Sequence, residues 1–218
     1  MAMVEHPKNG RGRRGRRSHE RPKRKRFLIV CEGEVTEVAY FKAFPVAGDV
    51  EVNVRGEGKN TTSLVAAAIQ HADGDTYTDV WVVYDHDDFG AEKFNAAEAA
   101  VSCENDRRDE RWRAAWSHQA FEVWYLLHFQ YFDGKLHRHL VQEKVGELLR
   151  KNTKKSGYKK NDPDMYSLLK GRQEEAIKRA KRLEEEHRVR PHGPTPPADA
   201  NPCTRVHHLV AELDQEIR

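Results

Sequence analysis

Phe27–Phe41 reads FLIVCEGEVTEVAYF. An all-apolar run with a cysteine passes straight into Glu32-Gly33-Glu34, and a helix-like pattern follows. Val80–Phe89 reads VWVVYDHDDF and ends in the same manner, on aspartates. Short continuous apolar runs suit central parallel strands buried on both faces. The two segments therefore predict two inner strands tipped by carboxylates. What the chain does depends on whether those tips meet.

Working outward, Thr36 is expected to cap a helix whose apolar positions are Val38, Tyr40, Phe41 and Phe44, with Pro45 and Gly48 ending it. Val50, Val52 and Val54 alternate as a second strand. A turn at Arg55–Gly58 leads to a helix capped by Thr62 or Ser63. Val80–Tyr84 is the third strand, Gly90 to about Cys103 a helix, Trp112–Trp116 a fourth strand and Phe121–Phe129 a packed helix. The order β-α-β-α-β-α-β-α predicts a doubly wound, Rossmann-like parallel sheet with helices on both faces. Beyond it, Leu136–Leu149, Asp164–Leu169, Gln173–Glu186 and Val206–Ile217 read as helices, with a Pro-rich linker after Arg190. The expected organisation is a basic arm over 1–26, an α/β core over 27–130 and a helical extension packed on it over 131–218.

Composition narrows the function. Charged residues are 33% of the 218 and mean hydropathy is -0.89. No apolar run approaches the ~20 residues of a membrane span, and no secretory leader is expected at the N-terminus. Cys31, Cys103 and Cys203 lie far apart, without zinc or disulfide spacing, which suits a reducing cytoplasm. The net charge is +3. Residues 1–26 hold eleven Lys/Arg against two acids, so the remainder is acidic and carries a basic arm. That arm reads either as a phosphate-seeking tail or as a solubilising terminus.

In a doubly wound sheet, ligands sit outside the carboxyl ends of the strands. Glu32 ends the first strand, and Asp85, Asp87 and Asp88 end the third. If these strands are neighbours, their tips lie ~5 Å apart. Carboxylates that close repel unless they protonate or bind a cation. Oxygen ligands without His or Cys favour Mg²⁺ or Mn²⁺, ions that work on phosphate. Gly33 is read as a sharp turn that lets Glu32 face the site. Single acidic strand endings are common in loops; two in this order are not.

The motifs VCEGEVTEVAYF, VVYDHDDF, FEVWYLLHF, GYKKNDPDMYSLL with AIKRAKRLE, and NPCTRVHHLV, in that order, resemble the RloB family, whose fold is Toprim-like. The resemblance implies a divalent-metal site with Glu32 as first-strand glutamate and Asp85 and Asp87 as the Asp-x-Asp pair. It implies Glu37 as a second glutamate, one residue later than in OLD-type nucleases, and Glu122 as ligand to a second metal. The family usually has Ser-Asn-Pro where this chain has Ser117-His118-Gln119-Ala120, and His118 reads as a surface-loop residue. The resemblance further implies an effector of prokaryotic defence or abortive infection beside an ATPase partner, with RNA slightly favoured over DNA.

The substrate-gripping candidates are Lys154, Lys155, Lys159 and Lys160 with Tyr158 interleaved, a pattern suited to single-stranded nucleic acid. Lys59 is a minor phosphate candidate after Gly56-Glu57-Gly58, although no ATP-type loop spacing is present. The remaining histidines, His207 and His208 included, lack metal spacing, and the four tryptophans read as core. The expectation is a Mg²⁺- or Mn²⁺-dependent nuclease, with catalytic Glu32, Asp85 and Asp87. The rival is a non-catalytic nucleic-acid-binding or ATPase-docking protein. A receiver-like or phosphatase-like enzyme is disfavoured by the glutamate-first order.

Overall fold

The computed structural model describes residues 24–86, 90–191 and 193–217. Most of the basic arm, together with Asp87 and Asp88, lies outside them. Apolar content sets the sheet. Strand β1, Arg26–Cys31, buries every residue after the first. Strand β3, Asp79–His86, is buried from Asp79 through Tyr84. Helix α1 spans Thr36–Lys42 and strand β2 spans Glu51–Gly56. Helix α2 is Thr61–Asp73, helix α3 is Ala91–Arg107, and strand β4 is Arg111–His118. Asn60, rather than Thr62 or Ser63, caps α2, its side chain accepting the Ser63 backbone N–H at 3.2 Å.

The sheet order is β2-β1-β3-β4-β5. Strands β1 to β4 are parallel, with Cys31 beside Gly56 on one flank and beside Val83 on the other. The chain leaves β1 toward β2 and then crosses back to β3. The order therefore reverses between β1 and β3, the position at which open α/β sheets bind ligands. Alternation divides the core. Phe27, Ile29 and Cys31 face a cluster with Tyr40, Phe41 and Phe121. Leu28 and Val30 face Leu64, Phe94 and Trp116 on the opposite side. Both faces are thus covered.

After β4 come α4, Glu122–Leu127, and α5, Arg138–Asn152. Then follow α6, Met165–Leu169, α7, Gln173–Arg188, and α8, Val206–Gln215. Between α7 and α8 the chain adds a short strand that the sequence pattern did not announce. This is β5, Cys203–Thr204, antiparallel to the end of β4 through Ser117↔Thr204 and His118↔Cys203. The C-terminal part thereby completes the sheet as well as packing on it. Among the described residues, no helix is long and apolar enough to cross a membrane.

Candidate metal centre at the strand tips

Strand adjacency brings the first two acids together. β1 ends beside β3, and the ladder continues one step further as the Glu32 backbone N–H donates to the Val83 carbonyl at 2.8 Å. The Glu32 side chain then turns across, and its Oε2 accepts the Asp85 backbone N–H at 3.2 Å. Helix α1 starts four residues after Glu32 and swings Glu37 back toward Asp85, while α4 starts just past the end of β4 and delivers Glu122. Glu37 is 6% exposed and Glu122 3%.

Gly33 has a role other than the one its sequence context suggests. It is not among the positive-φ glycines. What it supplies is space, because a Cβ there would stand 2.8 Å from the Cδ of Glu37. The carboxylate of Glu37 lies where a side chain at position 33 would have to go.

The electrostatics are unfavourable as the side chains stand. Burial pushes the Asp85 carboxyl well above the usual carboxylate range, and the neighbouring Glu37 and Glu122 push it further; Arg138 and the Phe121 backbone amide pull it down. Burial likewise raises Glu37, with Glu122 adding to it and Lys160 and Arg138 opposing. Arg138 Nη2 is 3.7 Å from Asp85 Oδ2. The other end of β3 is a useful contrast. Asp79, fully buried, is met by Arg111 at 2.5 Å and Arg113 at 2.8 Å. One end of the strand carries a buried acid that is neutralised closely. At the other, Asp85 has Arg138 at 3.7 Å.

Two clefts open on this centre. One, of about 570 Å³, is bordered by Glu32, Asp85, His86, Lys59, Lys93 and the start of α2. The second, of about 260 Å³, is bordered by Glu37, Asp85, Glu122, Arg138, Gln142 and Lys160. Asp85 lies between them. Glu122 is held in place by Gln142 Nε2 at 2.9 Å and the Tyr158 hydroxyl at 2.7 Å, both donating to Oε1. Thr36 Oγ1 donates to the Lys160 carbonyl at 2.7 Å and so ties the basic loop to α1. Close approach of that loop depends on Gly146, where a Cβ would meet Tyr158 N at 3.3 Å.

The structure thus unites Glu32, Glu37, Asp85 and Glu122 around one strand tip. Among the described residues, however, no three of them present ligand atoms all within 4.8 Å of one another; a different set does, as set out below. The donor chemistry still fits a hard divalent ion: oxygen only, buried at Glu37 and Glu122, half-buried at Glu32 and Asp85, mutually repelling and centred on Asp85. Asp87 and Asp88 lie outside the described residues.

The nucleic-acid candidates divide. Lys154, Lys159 and Lys160 are exposed. Lys155 is engaged by Asp162 and Asp164, each at 2.9 Å. Tyr158 is a clamp on Glu122 with its ring edge against Tyr125, rather than an open stacking platform. Lys59 is paired with Glu57 at 2.6 Å and borders the larger cleft. Sequence reasoning missed Arg138 and Gln142, brought in by α5, and the role of the Tyr158 hydroxyl, brought in by the loop after it. It also misplaced His118. That residue ends β4, is 5% exposed, stacks on His86 with ring centroids 4.2 Å apart, and donates from Nε2 to the Ala198 carbonyl at 2.7 Å. Burial pushes its imidazole down to about 4.

Comparison with curated proteins and with solved structures gives no match. The family model described as RloB-like protein matches residues 27–213, from the first residue of the β1 core through Leu213 of α8. The match spans the sheet, the acidic centre and the helices that complete it, and the chain therefore belongs to the RloB-like protein family.

Proposed function

We propose that this protein is a divalent-metal-dependent nuclease, with the acidic centre at the tips of β1 and β3 as its active site. The observation that carries this reading is the convergence of Glu32, Glu37, Asp85 and Glu122 on one strand tip at the topological switch point, with positive groups on both flanks. Glu32 and Asp85 are the ligands common to the reading, Glu37 and Glu122 would hold a second ion beside Asp85, and Asp87 and Asp88 complete the set by sequence. Mg²⁺ or Mn²⁺ bound there would polarise a phosphodiester and lower the pKa of a bound water.

The chain's own residues do the rest. Glu32, anchored by the Asp85 amide, would serve as metal ligand or as the base that takes a proton from an attacking water. Lys59 and Lys93 on one flank, and Arg138 and Lys160 on the other, offset the negative charge of a polyanion approaching carboxylates. Tyr158 and Gln142 keep the Glu122 carboxylate from rotating away. The defence setting and an ATPase partner rest on family resemblance and enter only as part of this proposal.

The test is incubation of purified protein with total RNA and with plasmid, with and without Mg²⁺ or Mn²⁺. Metal-dependent cleavage that vanishes in Glu32→Gln is expected. If both nucleic acids stay intact with either metal, yet binding persists in EDTA, the non-catalytic binding reading replaces this one.

A further inference from the structure

A second grouping of ligating side chains lies away from the strand tips. Glu184 is on α7, and His207 and His208 open α8. Each offers one ligand atom, and the three atoms all lie within 4.8 Å of one another. His208 Nε2 is 2.7 Å from Glu184 Oε2, and His207 Nε2 is 3.3 Å from the same oxygen. The sequence hides this cluster because the carboxylate comes from a helix more than twenty residues upstream.

His207 is the informative member. Its side chain is fully buried. Its Nδ1 is 2.9 Å from the Thr204 carbonyl, an acceptor only, so Nδ1 carries the proton. In the neutral ring Nε2 is then a lone pair. It is buried, makes no hydrogen bond of proper geometry among the described residues, and lies 3.3 Å from a carboxylate oxygen, another acceptor. A buried lone pair facing another acceptor calls for a proton or a cation between the two. An imidazole fixed by Nδ1–H on a backbone carbonyl with Nε2 presented outward is the usual arrangement of a metal-ligating histidine.

We propose that Glu184, His207 and His208 form a binding site for a zinc-class divalent transition metal that clips α8 to α7. The donor set, two imidazoles and one carboxylate, suits Zn²⁺ and its neighbours rather than Mg²⁺. Tetrahedral ligands at ~2.1 Å stand roughly 3.4 Å apart, close to the His207–Glu184 separation of 3.3 Å. To ligate, His208 gives up its Nε2–H bond to Glu184, the proton leaving to solvent or the ring taking its Nδ1-protonated tautomer. The second carboxylate oxygen stays with Arg205, whose Nε donates to Glu184 Oε1 at 2.9 Å, so the anion is oriented before the metal arrives. His208 is the exposed side of the site and borders a cleft of about 460 Å³ with Arg205 and Glu212. The fourth position therefore opens to solvent. The site is independent of the nuclease reading, since its ligands are separate from the strand-tip acids.

The probe is ZnCl₂ titrated by calorimetry into the full-length, tag-free chain stripped of metal, with thermal melting alongside. With excess Mg²⁺ present to occupy the strand-tip acids, one Zn²⁺ per chain and a rise in Tm are expected. His208→Ala, at a half-exposed position, and Glu184→Gln should each weaken binding about tenfold or more. Glu32→Gln and the exposed pair His137→Ala/His139→Ala should leave it unchanged, and excess Mg²⁺ should not displace it. Co²⁺ in place of Zn²⁺ should give the absorption of a four-coordinate nitrogen/oxygen site in the wild type and not in His208→Ala. Wild-type binding no tighter than that of His208→Ala, or binding lost on changing His137 and His139, overturns the proposal.

Discussion

The Glu32 carboxylate accepts the backbone N–H of Asp85 at 3.2 Å, so the side chain ending one inner strand is fixed to the main chain ending its neighbour. This bond spans the point where the sheet order reverses, and it fixes Glu32 without consuming the Asp85 side chain. Glutamine at 32 can accept the same N–H but loses the charge. Glu32→Gln should therefore fold as the wild type and lose about a thousandfold or more in metal-dependent cleavage, a scale typical of removing a principal electrostatic group. Circular dichroism and turnover together check it; a well-folded variant that still cleaves would remove Glu32 from the chemistry.

Asp85 should behave in the opposite sense for stability. Its carboxyl is buried, with Glu37 and Glu122 raising the cost of its charge. Asparagine keeps the shape and removes the repulsion. In metal-free buffer at neutral pH, Asp85→Asn should raise Tm by about 2–4 °C, the shift that ~1 kcal/mol gives a chain of this size, while abolishing cleavage. A lower Tm would mean that the acids are already compensated within the protein.

Gly33 and Gly56 separate site damage from fold damage. The nearest atoms a Cβ at 33 would meet belong to the far end of the Glu37 side chain, which can rotate away. Gly33→Ala should keep the melting curve and lower activity by about tenfold or more through loss of Glu37 from the site. A Cβ at 56 would lie 2.7 Å from the backbone Cα of Glu34 and 2.9 Å from the Gly33 carbonyl. Gly56→Ala should lower Tm and expression first. The reverse pattern in the two variants would refute the packing argument.

How much of this was legible beforehand follows from which interactions are local. The inner strands were readable because β1 and the first six residues of β3 are buried continuously, which leaves an apolar run in the sequence. The meeting of Glu32 with Asp85 was conditional on the first and third strands being neighbours, which the sheet order supplies. The two-residue β5 carries too little pattern to be read, and its pairing with Ser117 and His118 is what buries a histidine that looked like a loop residue. Arg138, Gln142 and Tyr158 reach the centre through tertiary packing of α5 and the loop after it, and no spacing rule links them to Glu122. Gly33 was recognisable as special, but the reason is the volume of Glu37 rather than a backbone turn.

Lysine contributions should be unequal along the basic loop. Lys154, Lys159 and Lys160 are exposed, whereas Lys155 is held by Asp162 and Asp164. Each phosphate contact to single strands contributes ~0.7 to the slope of log affinity against log salt. In the inactive Glu32→Gln background, changing all three exposed lysines to alanine should flatten that slope by about 2. Lys155→Ala should leave it where it is. Fluorescence anisotropy across a salt series reads both, and an equal effect from Lys155 would show its acidic partners let go on binding.

His128 should be an acid-sensitive point of the core. It is buried against Trp124, its Nδ1 donates to the Trp124 carbonyl at 2.9 Å, and its Nε2 has no partner among the described residues. Burial pushes its imidazole down to about 3, and the nearby Arg179 and Arg172 add to the effect against the pull of the Trp124 carbonyl. An unfolded histidine titrates near 6.5, so as pH falls below that value the unfolded chain takes a proton that the folded chain refuses. The stability is fully present above ~6.5 and is lost on going down toward 3, by up to ~1.4 kcal/mol per pH unit. His128→Leu cannot titrate, though it leaves the Trp124 carbonyl without this donor and should start about 1 kcal/mol less stable at pH 7. Between pH 7 and pH 5 the wild type should lose about 2 kcal/mol relative to the variant, so the two should cross. The other buried histidines titrate in both proteins and cancel in the difference. Urea melts at pH 7, 6 and 5 measure it, and parallel pH dependences in the two chains would show that His128 already carries its proton in the folded core.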